Sequence, residues 1–178
     1  MSRIAYVNGR YRPHAQATVH VEDRGYQFAD GVYEVAAVLD GKLADYEGHV
    51  ARLHRSLGEL QIAPPVGDDE LLEIHRELVK RNGVEEGLVY LQVTRGAGER
   101  DFPFPKDAKP SLVLFTQAKN LTEAPIAATG YKVKTVPDIR WARRDIKSVG
   151  LLAQALAKTQ AKREGKEDAW FVDADGNV

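Results

Sequence analysis

Apolar residues along this chain change their period twice, and that change limits the fold more than any other feature of the sequence. Ile4, Tyr6 and Val7 precede an Asn8-Gly9 pair, with Tyr11 after it. Asn-Gly between weakly alternating segments is the strongest short hairpin signal, because both residues tolerate positive φ. Residues 32–39 form an apolar run rich in β-branched side chains that turns at Asp40-Gly41 into residues 42–46, which predicts a second hairpin. The period then becomes helical. Val50, Leu53, Leu57 and Leu60 recur at spacings of three and four across residues 48–60, the inward stripe of an amphipathic helix that Pro64 and Pro65 end. A second helix follows: Asp68 and Asp69 suit an N-cap and an acidic first turn, Leu71, Leu72, Ile74, Leu78 and Val79 keep the period, and Asn82-Gly83 stops it. Residues 87–94 and 111–118 read as strands again, separated by a Gly- and Pro-laden loop over 96–110 that is long enough to suggest a job. Strands, two helices and strands make an α+β domain, not a doubly wound parallel sheet.

A chain of 178 residues exceeds one typical domain of about 100 to 150 residues and is tight for two. The first domain is expected over 1–119, a polar, Ala- and Pro-containing connection over 120–130, and the start of a second, incomplete domain over 131–178. There, residues 131–136 alternate as a strand, 148–162 are helical with Gly165 past the end, and 169–172 begin a strand that meets a turn over 173–177. A segment that stops at a turn with no closing elements would expose the faces of its own strands, so Val178 is expected not to be a natural C-terminus.

Composition excludes several classes of function. Hydrophobic residues at 43% and charged residues at 29% are those of an ordinary globular chain. A net charge of −1 without a basic stripe argues against nucleic acid and anionic membranes as partners. The chain has no cysteine, hence no disulfide or thiolate, and its five histidines show no HExxH spacing, so no metal site is expected. Residues 1–10 lack the apolar core of a signal peptide, and no run of about 18 apolar residues occurs, which leaves the cytoplasm as the expected compartment. Neither GxGxxG nor a Walker loop nor a GxSxG elbow is present.

Four positions carry chemistry worth weighing. Lys147, in Asp145-Ile146-Lys147-Ser148, lies just before the expected helix, where a helix N-terminus with Arg143 and Arg144 nearby disfavours an ammonium, as a Schiff-base lysine requires. Read alone, the motif is weak, and a surface lysine is the better reading of it. Arg52 follows His49 by three residues on the first helix, so the two face one side and are placed to grip a phosphate, or Arg52 snorkels over the domain edge. Arg100 in the long loop suits a bidentate bond to a carboxylate, or a loop salt bridge with Glu99 or Asp101. Tyr33, beside Glu34 in an apolar strand, places a phenol in a pocket or covers the core.

In order along the chain, the runs Glu22-Asp23-Arg24-Gly25-Tyr26-Gln27-Phe28-Ala29-Asp30-Gly31-Val32-Tyr33-Glu34-Val35, His49-Val50-Ala51-Arg52-Leu53, Gln92-Val93-Thr94-Arg95-Gly96, Asp138-Ile139-Arg140-Trp141 and Asp145-Ile146-Lys147-Ser148 resemble the D-amino-acid aminotransferases of the fold-type IV pyridoxal-phosphate class. The resemblance implies the N-terminal α/β domain of that fold plus the beginning of its C-terminal domain. It implies pyridoxal 5'-phosphate as cofactor, Lys147 as the Schiff-base lysine and proton shuttle, and Arg52 as the phosphate holder. It further implies that Tyr33 and Arg100 trap the substrate α-carboxylate, Arg100 being donated across a homodimer interface. The reaction implied is transamination between a D-amino acid such as D-alanine and a 2-oxo acid such as 2-oxoglutarate. An L-branched-chain aminotransferase or an aminodeoxychorismate lyase of the same fold is the alternative, as is a truncated, catalytically incompetent module. Two departures stand out. Phe102 occupies the place, two residues after Arg100, where the family's loop commonly carries a histidine. The family also continues with an acidic residue on the cofactor's pyridine nitrogen and with further phosphate ligands, none of which lies in these residues.

Overall fold

Asn8 and Gly9 take φ of 46° and 86°, the mirror-image turn whose twist suits a hairpin. They join β1 (Ile4–Val7) to β2 (Arg10–Pro13), with Val7 opposite Arg10, as the pair predicted. The structure, a computed structural model, describes residues 3–178. The chain divides into two compact units: residues up to Leu121 together with Asp145–Val149, and Thr122–Arg144 with Gly150–Val178.

In the first unit a short helix, α1 (Arg24–Phe28), begins where the Asp23 carboxylate accepts the Gly25 N–H at 2.8 Å. Five residues are too few for a periodic signal, and the sequence did not announce it. β3 (Gly31–Leu39) turns at Asp40 and Gly41, φ 50° and 68°, into β4 (Lys42–Leu43). β4 is shorter than the expected 42–46 because Tyr46 already opens α2 (Tyr46–Glu59). α3 (Asp68–Asn82) is capped by Gly67, so Asp68 and Asp69 act as first-turn acids, and Gly83 ends it at φ 57°. β5 (Gly87–Thr94) and β6 (Ser111–Ala118) have the ranges the sequence predicts.

The six strands form one antiparallel sheet in the order β2-β1-β6-β5-β3-β4. Side chains alternate faces along a strand. Val32, Ala36 and Val38 of β3, Val89, Leu91 and Val93 of β5, and Leu112 and Leu114 of β6 are therefore buried together with Leu53 and Leu57 of α2 and Leu71, Ile74 and Leu78 of α3. Each such leucine contributes about 1.5 to 3 kcal/mol. On the other face Tyr33 stacks on Tyr90 at 5.7 Å and Tyr90 on Phe115 at 4.8 Å.

A buried ion network ties the long loop to this sheet. The Asp30 carboxylate accepts from Arg24 Nε at 2.8 Å and from Arg95 Nε and Nη2 at 2.8 and 3.0 Å. Arg24 also donates to the Asp101 carbonyl at 2.6 Å, and Arg95 lies 3.6 Å from the Phe104 ring centroid.

The second unit contains α4 (Pro125–Thr129), β7 (Val133–Pro137), α5 (Leu152–Arg163) and β8 (Asp168–Val172). β7 and β8 pair in parallel, and α5, packed on both through buried Ala157 and Ala161, lies between them in the chain as a parallel pair requires. The Asp173 carboxylate accepts the N–H groups of Asp175 and Asn177, closing the expected turn. α5 starts at Leu152, later than the expected Ser148, because residues just before it are drawn into backbone pairing with β3. Among the described residues, no helix is long and apolar enough to cross a membrane.

Candidate active site

β4 pairs only with Val38 and Leu39, which leaves the first half of β3 without a strand on that edge. Residues 147–149 fill the gap. The Tyr33 N–H donates to the Lys147 carbonyl at 3.0 Å, the Val149 N–H donates to the Gly31 carbonyl at 3.1 Å, and Val32 and Ser148 form the bridge between them. Ile146, buried in the core, anchors the segment from its other end. Lys147 is thus held by a sheet edge. Lys147 does not lie immediately before a helix in the chain, as the sequence suggested, because α5 opens only at Leu152; Arg144 has Asp138 as ion partner at 3.4 Å. The Lys147 Nζ lies 4.3 Å from the Tyr33 ring centroid, and its backbone N–H approaches Ser56 Oγ of α2 at 3.5 Å.

Tyr33 and Glu34 are neighbours in an extended strand and so project to opposite faces. Glu34 shares the core face with Val32, Ala36 and Val38. Its Oε1 accepts from Arg52 Nε at 2.7 Å, and its Oε2 accepts from Arg52 Nη2 at 2.7 Å and from His49 Nδ1 at 2.8 Å. Burial pushes the carboxyl up, but the hydrogen bonds from Arg52 and His49 outweigh it, and Glu34 titrates below the ordinary carboxylate value. Behind it, His75 donates to the Leu71 carbonyl at 2.8 Å, and burial holds its imidazole down at about 4. The expectation that His49 and Arg52 share one helix face holds, and what joins them is Glu34. Sequence reasoning noted Glu34 only as a neighbour of Tyr33; its parity with Val32, Ala36 and Val38, a charge on the core face, was the available signal.

Along the first half of β3, Tyr33 and the Lys147 amine thus meet on one face, and His49 and Arg52 meet Glu34 on the other. Arg100 does not join them within one chain. Its guanidinium lies 5.3 Å from the Phe28 ring centroid and 5.8 Å from that of Phe102, and among the described residues no hydrogen bond or ring contact links it to Tyr33 or Lys147.

The donor set fits a phosphorylated aldehyde. A primary amine fixed by backbone pairing suits the aldehyde carbon, and Arg52, 44% exposed at its side chain, offers a planar donor fork suited to phosphate oxygens. Ser56 and Arg52 lie one turn apart on α2, which puts the Lys147 segment and the guanidinium on one side of that helix.

The amino-transferase class IV family model matches residues 31–178. D-alanine aminotransferases from Staphylococcus haemolyticus and from Listeria monocytogenes serotype 1/2a (strain 10403S) are 38% and 39% identical to the chain over 165 and 166 residues. Each alignment covers 92% of this chain but only 58% and 57% of the relative, so the chain spans less than two thirds of the length of those curated relatives. Among solved structures, the branched-chain amino acid aminotransferase from Escherichia coli superposes with a TM-score of 0.84 at 19% identity, covering 99% of this chain and 60% of that one. A hypothetical aminotransferase from Mycobacterium tuberculosis, in its PLP-bound form, gives 0.78 at 19% identity, covering 97% and 62%. These likenesses place the fold among the fold-type IV aminotransferases. With the family match spanning β3, the Glu34 cluster and Lys147, the chain belongs to the class IV aminotransferase family.

Proposed function

We propose that this chain carries the lysine-bearing part of a pyridoxal-phosphate-dependent transaminase that moves an amino group between a D-amino acid such as D-alanine and a 2-oxo acid such as 2-oxoglutarate. The observation that supports it most is the seating of Lys147 on the edge of β3, its amine over the Tyr33 ring, in a chain whose curated relatives are D-alanine aminotransferases. When bound, the cofactor supplies an electron sink for negative charge at the substrate α-carbon. Lys147 would hold the cofactor covalently through Nζ, and its amine would move the proton at the substrate α-carbon. Arg52 holds the phosphate. Tyr33 and the Arg100 of a partner copy hold the α-carboxylate, which makes the working protein a homodimer of small-molecule substrate range.

Phe102 favours a second reading. It leaves the loop one carboxylate donor short of the D-specific pattern, so an L-branched-chain aminotransferase is the competitor. Incubating the full protein with each enantiomer of alanine and leucine separates the two. Amine transfer from D-alanine is expected; transfer from L-leucine alone would sink the D-specific reading.

A further inference from the structure

We infer that Glu34 is the positioning residue of the phosphate grip, turning Arg52 so that only the Nη1–Nη2 end of its guanidinium meets the anion. The inference rests on the proposed phosphate role of Arg52. Glu34 has a side chain 5% exposed, whereas that of Arg52 is 44% exposed, so the carboxylate is the fixed member and the guanidinium the one that reaches outward. A guanidinium carries five N–H donors. Glu34 takes Nε–H with Oε1 and one Nη2–H with Oε2, the whole of one edge of the fork, both at 2.7 Å. What remains are the two donors of Nη1 and the second of Nη2, at the outer end.

An arginine at an exposed helical position otherwise samples many rotamers, and an anion would have to order it on binding. Glu34 does that ordering in advance. Behind the carboxylate lie Ala36, Leu53, Leu71 and Leu91 together with Tyr46 and His75, and the guanidinium in front compensates its charge. The charges then run carboxylate, guanidinium, phosphate, with the cation between the two anions. His49 is fixed by the same device. A carboxylate only accepts, so Nδ1 is the protonated nitrogen and donates to Oε2 at 2.8 Å, which fixes the ring beside the guanidinium.

The test measures, in the full chain, dissociation constants for pyridoxal 5'-phosphate and for pyridoxal, and takes their ratio as the preference for the phosphate. The variants are Glu34→Gln, Arg52→Lys and the double substitution, each checked by a melting curve. Wild type is expected to prefer the phosphorylated form. Glu34→Gln should cut that preference by on the order of tenfold while pyridoxal affinity stays within about twofold, the effect of losing one preorganised side chain. On the Arg52→Lys background, where no fork remains to be turned, the same substitution should change the preference by less than about twofold. A merely structural role would lower the melting temperature and weaken both ligands together, leaving the ratio alone. If wild type prefers the phosphate and Glu34→Gln keeps the ratio, the positioning inference is overturned while Arg52 keeps its role. If wild type shows no preference, the role of Arg52 fails and the inference fails with it.

Discussion

The Lys147 Nζ lies 4.3 Å from the centroid of the Tyr33 ring, and the same two residues are joined by backbone, the Tyr33 N–H donating to the Lys147 carbonyl at 3.0 Å. The backbone bond fixes where the lysine side chain starts, and the ring face fixes where it ends. Tyr33→Phe keeps the ring face, and Tyr33→Leu removes it. Because the ring face positions the amine, the rate of Schiff-base formation with pyridoxal phosphate, followed by visible absorbance, should stay within about twofold of wild type for Tyr33→Phe and fall roughly three- to tenfold for Tyr33→Leu. Equal slowing in both would move the effect to the phenol hydroxyl. Lys147→Ala should form no band.

Asp30 has a side chain 7% exposed and holds two arginines that are 4% and 7% exposed, Arg24 and Arg95. Removing the anion leaves two buried cations against one another. Asp30→Asn is therefore expected to destabilise the first unit by about 3 to 5 kcal/mol, read from the urea midpoint. The loop over 96–110 hangs on the same arginines through the Asp101 carbonyl and Phe104, so limited proteolysis should cut there first in the variant. A midpoint shifted by less than about 1 kcal/mol would show that the arginines find other partners.

His75 is buried and neutral, with its imidazole near 4 against an ordinary value of 6.5. Its folded pKa lies below its unfolded one, so between those values the unfolded chain binds a proton that the folded chain refuses. Stability from this residue is complete above pH 6.5 and declines as pH falls toward 4, by on the order of 3 kcal/mol. Glu34, whose pKa is lowered from 4.5, adds its loss only below that value. Denaturation midpoints measured from pH 7 to 4 should fall in wild type and stay flatter in His75→Leu. Parallel curves would show that His75 protonates without unfolding.

Most of the sheet was legible because its signals are local. Asn8-Gly9 and Asp40-Gly41 fix two turns by their own φ preferences, and the three-and-four spacing of Leu53, Leu57 and Leu60 belongs to α2 alone. What the sequence hid depends on residues far apart in the chain. Lys147 looked like the start of a helix because Ser148 leads into an apolar stretch, yet its backbone is claimed by β3 more than a hundred residues earlier. No local period reports such a bond. Glu34 was half visible: its parity marks it as facing the core, but the two donors that make that burial tolerable, Arg52 and His49, sit on α2. The parallel pairing of β7 with β8 was likewise settled by a partner outside any short window.

Gly31 stands between two backbones. A Cβ there would lie 2.7 Å from the Val93 carbonyl oxygen and 3.1 Å from the Thr94 Cα on the β5 side, and the Gly31 carbonyl on the other edge accepts the Val149 N–H at 3.1 Å. Both close atoms are main chain and cannot swing aside as a side chain does. To make room β3 must move off β5 or the strands must separate locally, and overpacking of this sort costs about 1 to 3 kcal/mol. Gly58 in α2 is the contrast, since nothing lies within 4 Å of its added Cβ. Gly58→Ala should be neutral or stabilise by up to about 1 kcal/mol, because alanine loses less freedom than glycine in a helix. Gly31→Ala should lower the urea midpoint and also speed amide exchange at Val149, the bond that seats Lys147. Exchange unchanged at Val149 in a destabilised Gly31→Ala would mean that the lysine segment rides with β3 as one body, so that strain in the sheet does not reach the amine.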